Sequence, residues 1–184
     1  GLDASPVNNI GEKSLVKSIG NSTTTPRDLE NLQDVKVTIY ILSESVAARL
    51  RMHGFVCTTV QIYVRDKDLI SFERQGKLNL PTSNSEDIAK KALEIFGQNY
   101  NWSNPIRSIG VRACNLKPQG DTQLSFLPDN IKNFKSNELE NTIDDIRRRY
   151  GHYSIQRGLM LTDSLLTNLN PKDDHVIFPV SYFK

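Results

Sequence analysis

No stretch of the 184 residues approaches the run of about 18 apolar residues that a membrane-crossing helix needs, so no helical span is expected. The chain starts Gly1-Leu2-Asp3, without Met and without the charged, apolar and small-residue succession of a secretory signal. The expectation is a piece of a longer chain whose N-terminal part precedes residue 1. Cysteine is scarce: Cys57 and Cys114 lie far apart with no CxxC spacing, which argues against zinc and reads as two small apolar residues in a reducing compartment. The three histidines, His53, His152 and His175, have no ligand spacing either. No P-loop occurs. Phosphoryl transfer needs carboxylates that hold two metal ions about 4 Å apart. The acidic pairs here do not offer that: Asp144-Asp145 falls on a helix, where neighbours point apart, and Asp173-Asp174 falls in a polar loop. No catalytic residue and no metal ligand is assigned.

What is present is a mild asymmetry of charge. Residues 12–117 hold 15 Lys/Arg against 11 Asp/Glu, and residues 118–184 hold 8 against 9. The first block is weakly basic, which permits nucleic-acid binding without proving it.

The pattern along the chain predicts an α+β fold. Residues 1–11 read as a linker. Ser14–Thr25, rich in hydroxyls and β-branched residues, reads as a strand. Thr25-Pro26-Arg27-Asp28 has the composition of a helix start, with Thr25 as cap and Pro26 in the first turn. Val35, Val37, Ile39 and Ile41 alternate like a strand, but Leu32, Val35, Ile39, Leu42, Val46 and Leu50 keep a 3/4 spacing up to Gly54; the longer pattern predicts a helix over 29–53. Strands follow over 58–65 and 70–78, joined by Asp66-Lys67-Asp68. A second helix starts at the capping box Ser83-x-x-Glu86 and breaks at 99–105, before a strand over 106–114. The resulting β-α-β-β-α-β order predicts a four-stranded sheet with two helices on one face. Past Lys117, Pro118–Thr122 reads as a linker. A third helix is expected over 137–150, with Leu139, Ile143, Ile146 and Tyr150 as its apolar face, and Gly151 as its stop.

Two sets of residues suggest binding. The strand Lys17-Ser18-Ile19-Gly20-Asn21-Ser22-Thr23-Thr24-Thr25 allows close backbone approach and offers hydroxyl and amide donors to phosphate oxygens; an ordinary edge strand would look the same. Arg65, Arg74 and Lys77 on the hairpin, with Arg107 and Arg112 on the last strand, would add cations. Arg107 and Arg112 are an odd number of residues apart, so a regular strand points them to opposite faces unless it twists or bulges.

Four segments in order carry a resemblance: Lys17-Ser18-Ile19-Gly20, the helix ending Ala47-Ala48-Arg49-Leu50-Arg51-Met52-His53-Gly54, Thr59–Arg65 and Ile106–Arg112. Together, over residues 12–117, they resemble the little-finger domain of the Y-family (DinB/UmuC-type, ImpB/MucB/SamB) translesion DNA polymerases. The resemblance implies a four-stranded sheet backed by two helices that sits against the DNA major groove. It further implies that Lys17, Ser18, Gly20, Asn21, Ser22, Thr23, Thr24, Arg65, Ser71, Arg74, Lys77, Arg107 and Arg112 contact DNA. Gly76, where many relatives carry an Arg, and Glu73, an acid on the presumed DNA side, are departures expected to weaken that grip. Mg²⁺ and catalysis would belong to the polymerase core that precedes this region; no cofactor is expected here.

In the tail over 118–184, Gln123-Leu124-Ser125-Phe126-Leu127 resembles the bacterial sliding-clamp-binding pentapeptide, with Phe and Leu exchanged. Such a peptide buries two apolar side chains in a pocket while Gln hydrogen-bonds at its rim. The stretch Ile143–Gly151 is similar to the C-terminal region of Gram-positive UmuC-like polymerases. The expected role is thus the noncatalytic C-terminal portion of an error-prone polymerase of DNA repair, with DNA, the clamp and the polymerase core as partners, in the bacterial cytoplasm at the nucleoid. A stand-alone nucleic-acid module, or a protein-interaction domain whose sheet binds nothing, remain alternatives. Against an RNA-recognition module, Tyr63 and Phe72 are the strand aromatics and no base-stacking cluster surrounds them.

Overall fold

The computed structural model describes residues 16–120 and 128–168. In chain order these form β1 (Ser18–Leu29), α1 (Leu32–Met52), β2 (Phe55–Asp66), β3 (Ser71–Thr82), α2 (Ser85–Asn99), β4 (Ile106–Pro118), α3 (Pro128–Tyr150), two 3₁₀ turns at His152–Ser154 and Gly158–Leu161, and α4 (Ser164–Thr167). The sheet is antiparallel in the order β1-β4-β2-β3, with β4 and β2 central. Val60, Ile62 and Val64 on β2 and Ile109, Val111 and Ala113 on β4 alternate onto one buried face. α1 packs there on β1, β2 and β4, and α2 packs on β2 and β3. The α+β fold with both helices on one face is therefore as expected.

Local chemistry moves several boundaries. Thr25 and Pro26 do not start a helix: β1 runs on to Leu29, and Thr25 donates its hydroxyl to the Arg107 carbonyl at 3.1 Å. Pro26 is tolerated because β1 is an edge strand and its ladder with β4 is broken between Thr24 and Leu29. α1 is capped instead by Asn31, whose side chain accepts from the Asp34 amide at 3.0 Å. Likewise Asn84 rather than Ser83 caps α2, accepting from Glu86 N at 2.8 Å. The Glu86 side chain turns away to Tyr40 and Arg157.

The tail folds back on the helices. α3 begins at Pro128, earlier than the expected 137. Its expected apolar stripe docks only in part: Ile143 and Ile146 are half-buried, whereas Leu139 is 60% and Tyr150 74% exposed. Glu140, Asp144 and Arg147 also lie on the docked face. Arg51 of α1 pairs with Glu140 at 2.9 Å and Asp144 at 2.7 Å, and Arg147 pairs with Glu44 at 2.9 Å. Arg157 reaches Glu44, Glu86 and Glu140 at 2.7, 2.8 and 3.2 Å and lies over the Tyr40 ring. Met160 and Leu166 join the main core cluster, and Asp163 pairs with Arg27 at 2.6 Å. Polar docking of this kind works because the carboxylates and guanidiniums satisfy one another as they leave water.

Candidate nucleic-acid interface

Among the described residues, no helix covers the sheet face opposite α1 and α2, here called the open face. Register fixes what it displays, because residues paired across strands share a face. Four cross-strand rows follow: Ser18, Cys114, Thr59, Lys77; Gly20, Arg112, Gln61, Gln75; Ser22, Gly110, Tyr63, Glu73; and Thr24, Ser108, Arg65, Ser71. Hydroxyls and glycines occupy the β1 side, and the long polar side chains occupy β2 and β3.

Gly20 and Gly110 stand at close approaches between strands rather than at special backbone angles. A Cβ on Gly20 would stand 3.0 Å from the Cβ and Cγ of Arg112, and one on Gly110 would stand 2.9 Å from Ser22 Cβ. Their absence leaves a hollow of ≈ 630 Å³ between Ser18, Ser22, Tyr63, Glu73 and Arg112. Thr24 and Ser108 hydroxyls pair at 2.9 Å across its end.

Three cations, Arg65, Lys77 and Arg112, share this face. Arg107 joins its margin through a bulge. Ser108 pairs with Arg65 while Ile106 pairs with Asp66, so Arg107 is an extra residue in β4. Ile106 and Ile109 are consequently both buried although three residues apart, and Arg107 is exposed beside Asp28 at 3.6 Å. The bulge removes the parity conflict that a regular strand would impose on Arg107 and Arg112.

Other expected contacts are not brought to this face. Arg74 pairs with Ile62, a core position, and lies on the helix side over the Phe72 ring at 5.7 Å. Asn21 is buried and donates its amide to Ser45 of α1 at 3.2 Å. Thr23 pairs with Ile109, also on the helix side. Gly76 pairs with Val60 there, and a Cβ on it would meet Lys91 Cε at 2.9 Å; it admits α2 rather than depleting the open face of a cation. Phe72 also faces inward and stacks on Tyr100 at 6.0 Å between centroids, leaving Tyr63 on the open side. Lys17 is exposed just before β1. Gln123, Leu124, Ser125, Phe126 and Leu127 lie outside the described residues.

Sequence reasoning missed Gln61, Gln75, Ser108 and Thr59. Their signal was parity: each is out of phase with the buried Val60, Ile62, Ile109 and Val111. Glu73 does face the open side, where it accepts from Gln61 Nε2 at 2.6 Å. Among the described residues no group of three or more His, Cys, Asp or Glu could hold a metal ion.

The model for the impB/mucB/samB family C-terminal domain matches residues 16–126, which takes in every strand of this sheet. The chain belongs to that family. DNA polymerase IV of Acetivibrio thermocellus is 45% identical over 170 residues, covering 92% of this chain and 43% of the relative. DNA polymerase IV of Pelotomaculum thermopropionicum is 30% identical over 162 residues, covering 88% and 39%. The chain thus spans less than half the length of these curated relatives. Among solved structures, a complex of β-clamp processivity factor and the little finger domain of PolIV aligns with TM-score 0.44 and 17% identity, over 59% of this chain and 97% of that one. A binary complex of Dbh DNA polymerase aligns with TM-score 0.47 and 14% identity, over 53% and 28%.

Proposed function

We propose that the open sheet face grips duplex DNA by its phosphates, as the noncatalytic C-terminal part of an error-prone polymerase that copies past lesions during DNA repair. The observation that carries this reading is the arrangement of Arg65, Lys77 and Arg112 among hydroxyls and two closely approached glycines on one face that no described helix covers. Cations supply affinity by counterion release, and hydroxyl and backbone donors position phosphate oxygens without reading sequence. The names of the curated relatives support the polymerase context. The Mg²⁺ ions of nucleotide transfer would be held by the core of the longer protein, in the bacterial cytoplasm at the nucleoid.

The test is fluorescence anisotropy of the 184-residue chain on a primer–template at several salt concentrations. Affinity should fall steeply with salt, and Arg65→Ala or Arg112→Ala should each lower it and flatten the log–log salt slope by roughly 1. Arg74→Ala, on the other face, should leave both nearly unchanged. No binding at low salt would overturn the reading and leave protein docking as the better account.

The pentapeptide Gln123–Leu127 is proposed to recruit the sliding clamp. It stands between Pro118, where β4 ends, and Pro128, where α3 starts. Phe126→Ala together with Leu127→Ala should abolish capture of the chain by immobilised clamp; undiminished capture would refute the assignment.

A further inference from the structure

Three large side chains of the folded-back tail stand in solvent: Leu161 is 81%, Leu165 56% and Tyr153 48% exposed. They line one groove of ≈ 860 Å³ together with Met160, itself buried, and with Thr23, Thr24 and Pro26 of β1. Thr23 pairs with Ile109 on the helix side of the sheet, and Thr24 pairs with Ser108 on the open side. Neighbours that point to opposite faces of one strand share a groove where that groove wraps the strand's margin. One margin of β1 is paired with β4, so the groove lies along the other, the free edge. An exposed apolar surface and an unpaired strand edge are each a liability that folded proteins cover.

The chemistry of the groove narrows its occupant. None of the residues that line it is charged, and the side chains of Gln156, Ser164, Thr167 and Asn168 complete the wall. Nucleic acid, which is held by cations, does not suit it. A peptide does: apolar side chains can pack on Leu161, Leu165 and Met160, and uncharged polar groups can meet backbone N–H and C=O. Asn168 is both the last described residue of the tail and part of the groove wall, so the chain leaves from the groove itself. Residues 169–184 lie outside the described residues. They comprise seven residues over 169–175, then Val176-Ile177-Phe178-Pro179-Val180-Ser181-Tyr182-Phe183 and Lys184. In a chain that is 24% charged, the stretch Val176–Phe183 carries no charge and is rich in β-branched and aromatic residues. The seven intervening residues span up to roughly 25 Å when extended, enough for the chain to turn back. A short tether also holds its segment at an effective concentration of about millimolar, which favours this occupant over a second copy. We propose that Val176–Phe183 seats in this groove of its own chain and covers the free edge of β1. The inference stands on the groove and the sequence beyond it and does not depend on the DNA grip.

The experiment places a nitroxide on the full chain through Lys184→Cys, with Cys114→Ser so that the other thiol is the buried Cys57. In nuclear magnetic resonance spectra the amide signals of Leu161 and Leu165 should lose most of their intensity, while those of β3, at the far edge of the sheet, keep theirs. Leu161→Asp together with Leu165→Asp, two exposed positions, should restore the lost intensity. A mixture of isotope-labelled chain lacking the nitroxide with nitroxide-bearing chain lacking the isotope should leave the groove signals intact. Undiminished groove signals in the doubly labelled chain would overturn the inference. Equal loss in the mixture would overturn it by assigning the groove to a second copy. Loss that persists in the aspartate variant would overturn it too, because the segment would then lie nearby without using the groove.

Discussion

Arg51→Ala offers the sharpest probe of how the tail is held. The Arg51 side chain is 8% exposed and that of its partner Glu140 is 7% exposed, so both ends of this ion pair are buried. The guanidinium makes three charge-assisted contacts: Glu140 at 2.9 Å, Asp144 at 2.7 Å and the Ser83 carbonyl at 2.7 Å. Breaking one partner of a buried pair costs about 3–5 kcal/mol because a charge is left without its counterpart. Here the cost is lower, since Glu140 keeps Ser85 Oγ at 2.5 Å and Arg157 at 3.2 Å. It is also capped: once the loss exceeds the docking free energy of α3, the helix leaves and Glu140 returns to water. An expected loss of about 2–4 kcal/mol follows, confined to the tail. Hydrogen exchange should show α3 amides losing protection while β2 and β4 amides keep theirs. A double-mutant cycle with Glu140→Gln should return a coupling of at least about 1 kcal/mol. Coupling near zero, with α3 protection unchanged in Arg51→Ala, would refute the claim that buried ion pairs contribute to holding α3 on α1.

Three further outcomes are expected. Gly76→Arg should destabilise the domain by about 1–3 kcal/mol in urea unfolding without improving DNA affinity, because its Cβ meets Lys91 and Ile95 of α2; tighter DNA binding would contradict the helix-side placement. The hydrogen bonds from the Arg27 guanidinium hold the Asp34 and Asp163 carboxyls below their ordinary value of 3.8. Their folded-state values are depressed, so their contribution is present above that value and is lost as pH falls through the lower folded values; α4 should keep its exchange protection at pH 5–7 and lose it only in stronger acid, and early loss near neutrality would contradict the Arg27 clamp. Burial pushes the Cys57 thiol up to about 12, and burial also raises that of the half-exposed Cys114 on the open face. Iodoacetamide should therefore label Cys114 slowly and Cys57 only on unfolding, and bound DNA should slow Cys114 further; DNA-insensitive labelling would argue against contact along that row.

The sequence by itself determined the element order, the sheet-and-two-helix class and most of the core, because 3/4 spacing in α1 and alternation in β2 and β4 are local consequences of backbone period. It also determined the family, since segments in register from Lys17 to Arg112 carry it. Tertiary structure decided which of the two sides of each strand is covered by helices and where the alternation breaks. Arg74 and Lys77 read alike as hairpin cations although their odd spacing already points them to opposite sides; pairing with Ile62 and Thr59 shows which of them faces the helices, and the bulge at Arg107 reverses the parity that the chain spacing implies. The Thr25-Pro26 helix start failed because an edge strand with an interrupted ladder accepts a proline that a central strand would reject. The docking of the tail was the least legible part: the apolar positions Ile143 and Ile146 are visible to a periodicity reading, whereas the ion pairs beside them are not, because charged residues become buried only where partners distant in the chain, such as Arg51 and Glu140, are brought together by the fold.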